Sequence, residues 1–150
     1  MPEFALIKQN VVLMAAATAW FSAQILKTIF NFFKYKKFDA ERLIGAGGMP
    51  SSHTSLVVGL SSSLGLTEGF DSSMFAVSLV LAGIVMYDAA GVRRAAGKHA
   101  KIINKLVRHT RAEKTVRDIK LKELLGHHPI EVLAGAILGM AVAYAFNLYW

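Results

Sequence analysis

The chain has 150 residues, with 17 Lys and Arg against 10 Asp and Glu, five His and no Cys; 54% of it is hydrophobic and only 18% charged. This composition excludes a disordered tail, and the lack of cysteine excludes a disulfide scaffold or a thiolate metal site. Soluble globular chains average roughly 25% charged residues, so this deficit, with a positive mean hydropathy, leaves whole segments with too few polar side chains to face water.

A membrane is the solvent such segments need. The net charge of +7 would suit nucleic acid in a soluble protein, but in a membrane protein it equally fits loops that face anionic lipid. The position of the charges decides between the two.

Residues 11–33 carry one charge, Lys27, and as a helix would measure about 34 Å, enough to cross a hydrocarbon core of roughly 30 Å. Lys27 lies toward the end that leads into Lys34, Lys36 and Lys37, so its ammonium is expected to snorkel to that interface, with a face turned to a partner helix as the alternative. Residues 52–67 are rich in Leu, Val, Gly and Ser but are short for a span. Gly59 and Ser61 to Ser63 favour close helix packing inside the protein over contact with lipid. Residues 74–90 form a third segment, uncharged until Asp88, and residues 130–150 a fourth, with Glu131 near its start and Tyr144, Tyr149 and Trp150 suited to the far interface. No basic leader or small-residue cleavage pattern marks a signal peptide, so the first span is expected in the mature protein.

Fifteen of the seventeen basic residues fall in two connections, Lys34 to Arg42 and Arg93 to Lys122, whereas the connection between the second and third segments has only Glu68 and Asp71. By the positive-inside rule both basic loops face the cytoplasm, and both termini lie outside. The second basic loop also has apolar residues at helical spacing, Ile102, Ile103, Leu106 and Val107, then Val116, Ile119 and Leu124, as expected for amphipathic helices on a membrane surface or on each other. No repeat, low-complexity tract or linker divides the chain. The expected fold is an all-α polytopic membrane bundle, one domain over residues 1–150, with about four membrane-embedded helices and amphipathic cytoplasmic helices.

Three polar clusters stand at helix ends on one expected side. In the first, Gly47-Gly48-Met49-Pro50-Ser51-Ser52-His53-Thr54, the free N–H groups of a helix start, together with the Ser51 and Ser52 hydroxyls, would suit an anion; an ordinary N-cap by either serine is equally open. The second runs from Asp88 to His99. Arg94 and Lys98 would share a helix face and suit phosphate, or would anchor to headgroups, while Asp88 is expected to have a partner such as Arg93, Arg94 or a histidine. In the third, Gly126-His127-His128-Pro129-Ile130-Glu131, a helix would set the Glu131 carboxylate one turn from the His127 imidazole. One ring nitrogen would then be engaged and the other would keep a lone pair. A metal half-site and a simple helix cap are the alternatives, with no third ligand at a recognisable spacing.

These residues resemble the type 2 phosphatidic acid phosphatase superfamily, which includes bacterial acid phosphatases and vanadium-dependent haloperoxidases, and more closely its divergent small membrane branch. The resemblance is carried by Gly-Gly-Met-Pro-Ser-Ser-His at 47–53, Gly-Val-Arg-Arg-Ala-Ala-Gly-Lys at 91–98 and Gly-His-x-Pro-x-Glu-Val at 126–132, and it extends over about residues 42–139. It implies an integral membrane phosphatase without cofactor or metal. His127 would be the nucleophile, Glu131 its orienting acid and His53 the general acid, with Ser51, Ser52, Arg93, Arg94 and Lys98 holding the phosphate and Asp88 a further orienting acid. The superfamily's Lys-x6-Arg-Pro element has no counterpart here, since Lys36 and Arg42 have five residues between them and Leu43 follows.

A membrane location favours a phosphorylated lipid or isoprenoid as substrate, with membrane lipids as surroundings, no nucleic acid as partner, and self-association left open. The alternative of another class is a membrane protein that binds phosphorylated lipid, or acts as a scaffold, without turnover.

Overall fold

The computed structural model of the chain describes residues 3–35, 48–109 and 126–150. Its elements are helices, α1 (Glu3–Lys8), α2 (Val11–Tyr35), α3 (Ser52–Glu68), α4 (Ser73–Ala90), α5 (Val92–His109) and α6 (Pro129–Tyr149). The all-α membrane bundle expected from the sequence is the fold observed. Among the described residues three stretches are long and apolar enough to cross a membrane: Val11–Phe33, Ser73–Val107 and Pro129–Tyr149. α3, with 17 residues, is the centre of the bundle, and α2, α4 and α6 all pack against it.

Local chemistry sets the helix ends. The Ser51 hydroxyl accepts the Thr54 N–H at the start of α3, and the Ser72 hydroxyl accepts the Phe75 N–H at 3.2 Å at the start of α4. Pro129 opens α6, where its missing N–H costs no helical bond. The Gly91 N–H donates to the Tyr87 carbonyl and closes α4, after which α5 begins at Val92.

α5 is the amphipathic helix expected from Ile102, Ile103 and Leu106; Lys98, Lys101 and Lys105 are exposed along it, and among the described elements it packs only against α4. The second expected stretch, Val116, Ile119 and Leu124, lies outside the described residues, as do Lys36, Lys37 and Arg42.

The interior inverts the composition of a soluble core. Its buried residues are mostly small, among them Ala15, Ala19 and Ala23 of α2, Ser55, Gly59 and Ser63 of α3, and Gly135, Gly139 and Ala143 of α6, with Val57, Leu64 and Val132 as larger members. Large apolar side chains such as Phe21, Val77, Val80, Ile84 and Leu133 point outward. Lipid tails are as apolar as leucine, so burying leucine gains little there; small residues let backbones approach and gain dispersion contact and hydrogen bonds.

The seam between α3 and α6 follows this rule with a constant offset. The Ser51 N–H donates to the Glu131 carbonyl at 3.0 Å and the Ser55 hydroxyl to the Gly135 carbonyl at 2.9 Å. Gly59 lies against Gly139, and Asn147 Nδ2 donates to the Ser63 hydroxyl at 2.8 Å. A methyl group at Gly139 would stand 2.6 Å from the Ser55 carbonyl oxygen and 2.9 Å from the Gly59 nitrogen.

Gly139→Ala is therefore expected to force the helices apart and to cost about 1–3 kcal/mol. Gly83→Ala, where a methyl group would meet nothing within 4 Å, is expected to leave stability unchanged or raise it by up to about 1 kcal/mol. Thermal unfolding of both variants in detergent checks the contrast, and similar midpoints would show that the seam is not tight.

Candidate functional site

Four helix ends meet where α3 and α6 begin. Because the two helices run parallel at a fixed offset, Ser51 at the start of α3 stands beside Glu131 in the first turn of α6. α2 runs the opposite way, since Ala19 meets Gly59 while Lys27 meets Gly48. The C-terminal part of α2 therefore arrives at the same end. α4 also finishes there, with the His127 N–H donating to the Ala89 carbonyl at 3.0 Å.

The clearest constellation is His127 with Glu131. His127 is buried, 5% exposed, and its Nδ1 lies 2.9 Å from Glu131 Oε2. The same oxygen accepts the His128 N–H at 3.1 Å, so the carboxylate caps the helix start and holds the ring in one geometry. An ionised carboxylate only accepts, so against it Nδ1 is the donor, and in the neutral ring Nε2 keeps the lone pair. Gly126, at φ 91°, turns the chain just before this pair, in a conformation that a side chain would strain. His128 is the exposed N-cap residue of α6.

The first cluster forms the neighbouring wall. Ser51 is fully buried, and its hydroxyl accepts from the Thr54 N–H at 3.4 Å and from the Thr54 hydroxyl at 3.0 Å. Of the two roles open to Ser51, the N-cap is present. Ser52 is buried, whereas His53 is exposed on the first turn of α3 and takes part in a polar or electrostatic interaction.

The second cluster is divided. Asp88, half-buried and engaged by a polar or electrostatic partner, adjoins Ala89, whose carbonyl holds the His127 backbone. Lys98 is exposed on α5. Arg93 and Arg94 belong to the first turn of that helix, and their side chains lie outside the described residues. Among the described residues no three His, Asp or Glu come together as a metal-ligand set.

Lys27 corrects the sequence reading. Snorkelling would leave its ammonium in the interface, but the residue is 3% exposed. Its side chain passes the Gly48 backbone, where a methyl group would meet Lys27 Cε at 3.3 Å, and the charge acting on it is Glu131. The alternative, a face turned into the bundle, is what occurs. A signal for it was available, because Ala15, Ala19, Ala23 and Lys27 are spaced four apart and continue one small-residue stripe.

Comparison with known proteins agrees with this architecture. The family model described as the divergent PAP2 family matches residues 8–142. A curated relative, the uncharacterized membrane protein YuiD of Bacillus subtilis (strain 168), is 42% identical over 152 residues, covering 91% of this chain and 96% of its own length. No solved structure matches.

Ser51→Ala removes the cap oxygen of α3 while keeping the backbone bond to Glu131. It is expected to lower stability by about 1 kcal/mol, read as a lower unfolding midpoint in detergent. An unchanged midpoint would remove the capping assignment.

Proposed function

The chain belongs to the divergent PAP2 family, and from that premise we propose that this integral membrane protein hydrolyses a phosphate monoester or pyrophosphate of a lipid or isoprenoid through a phosphohistidine. The observation that carries the proposal is the buried imidazole held by a carboxylate through Nδ1 at 2.9 Å. Binding a headgroup requires positive charge, but it does not require an imidazole fixed with its Nε2 lone pair available.

In this mechanism His127 Nε2 attacks phosphorus in line, the bond from phosphorus to the ester oxygen breaks, and His53 gives its proton to the departing oxygen. Glu131 stabilises the charge that develops on the ring. Water then attacks the phosphohistidine, His53 takes the water proton, and His127 is released with inorganic phosphate. Phosphoryl transfer leaves little covalent work to the protein beyond this, so positioning and charge carry most of the acceleration. The N-terminal ends of α3 and α6 supply oriented N–H dipoles to the phosphoryl oxygens, with Ser51 and Ser52 at the first of them and Arg93, Arg94 and Lys98 as the basic contribution of the α4–α5 junction. The lipid tail stays in the bilayer, and the headgroup reaches the site from the cytoplasmic side.

A second reading, phosphorylated-lipid binding without turnover, is favoured by the missing counterpart of the superfamily's Lys-x6-Arg-Pro element, since Lys36 and Arg42 have five residues between them and Leu43 follows.

Release of phosphate from a panel of lipid and isoprenoid phosphates in detergent separates the two. His127→Ala is expected to fall to background and His53→Ala to lose about 10²–10⁴-fold. Equal release by wild type and His127→Ala would end the enzyme reading and leave the binding one. Sidedness has its own test, because the chain has no cysteine. In intact cells a membrane-impermeant maleimide is expected to label Asp71→Cys, and to label Lys98→Cys only after permeabilisation; the reverse pattern would invert the topology.

A further inference from the structure

We propose that Lys27, from the interior of α2, is the phosphate-binding cation of this site. The inference rests on the reading of His127 and Glu131 as a phosphoryl-transfer pair and adds a residue that the family-like motifs do not contain.

A phosphate ester brings up to two negative charges into a region from which water is largely excluded. Helix N-termini offer about half a charge each, so a full positive charge beside the reacting phosphorus is needed to balance it. The described basic residues of α5, Lys98, Lys101 and Lys105, are exposed, and that helix packs only against α4 among the described elements. Lys27 is the one buried Lys or Arg among the described residues.

Its position fits the role. The stem of Lys27 runs under Gly48, three residues before the Ser51 cap, and its charge is within electrostatic reach of Glu131. That carboxylate is already bonded to His127 Nδ1 and to the His128 N–H. The lysine stem lies on the loop that leads into Ser51, and Ser51 is bonded through its N–H to the Glu131 carbonyl, so stem, α3 start and histidine pair lie at one end of the bundle. Gly48 has φ 94° and no side chain, so the loop can lie directly on the lysine stem; a methyl group there would press on Cε.

A buried ion pair is weak evidence of a purely structural role, since apolar residues of similar volume in place of the whole pair are often neutral or stabilising. Retaining an ammonium beside an oriented imidazole is what anion binding requires. A purely structural lysine would leave anion affinity untouched on substitution, and affinity is the readout that separates the two roles.

The test compares wild type, Lys27→Met, Lys27→Gln and Lys27→Arg, purified in a neutral detergent. Thermal unfolding is followed against rising inorganic phosphate or orthovanadate. A parallel arm uses phosphatidic acid in phosphatidylcholine nanodiscs, so that a free anion and a lipid headgroup are told apart. Ligands that bind the folded state raise the midpoint by mass action.

Wild type is expected to be stabilised by at least one probe. Lys27→Met is expected to bind that probe at least tenfold more weakly, whatever its unliganded midpoint, and Lys27→Arg to recover part of the affinity. Lys27→Gln, which keeps donors but no charge, gives the same reading if the methionine variant does not fold. Equal affinity in wild type and the neutral variants, with hydrolysis still dependent on His127, overturns the Lys27 assignment alone. A wild type that binds none of the probes and hydrolyses nothing overturns both this assignment and the phosphatase reading.

Discussion

The parallel seam between α3 and α6 is the contact on which the arrangement depends. Its residues fall at four-residue steps on both helices, Ser51, Ser55, Gly59 and Ser63 against Glu131, Gly135, Gly139 and Ala143. Rows of this spacing lie along one helix face. A shift by one residue would bring bulkier neighbours such as Leu60 or Met140 into the seam, and would break the bonds from the Ser51 N–H and the Ser55 hydroxyl. Backbone contact in the seam thus fixes the height of one helix against the other. That height brings two helix N-termini level and puts the serine cap of one beside the histidine pair of the other.

Much of this was legible in the sequence, for identifiable reasons. Apolar length marked the helices that cross the membrane, and the composition of residues 52–67 marked α3 as an interior helix, because Gly and Ser have no advantage against lipid. The spacing of His127 and Glu131 anticipated their bond, since residues four apart on a helix are neighbours. Lys27 was misread because a lone lysine near the end of an apolar span satisfies two physical solutions equally, outward to the headgroups or inward to a partner. Hydropathy does not distinguish them. The alanine periodicity does, but only once those positions are known to face α3. The loop residue Gly48, which covers the lysine stem, gives no sign of that contact in the sequence, since the pairing spans 21 positions and depends on the antiparallel register of α2 with α3.

Glu131 joins the fold to the chemistry. At the third position of α6 a glutamate is long enough to reach back over the helix start, accept the His128 N–H and still meet the His127 ring. A single carboxylate therefore satisfies a helix end, selects the imidazole tautomer and faces the charge of Lys27. In a low dielectric each of these interactions is stronger than it would be in water, and an unmatched charge is correspondingly costly. On the reading proposed above, the Lys27 ammonium and the start of α3 supply the positive potential for a phosphate, while the carboxylate stays bonded to the His127 ring and the His128 N–H. In that mechanism a phosphate has no need to displace Glu131 from the His127 ring, so anion binding and imidazole orientation do not compete for the same group.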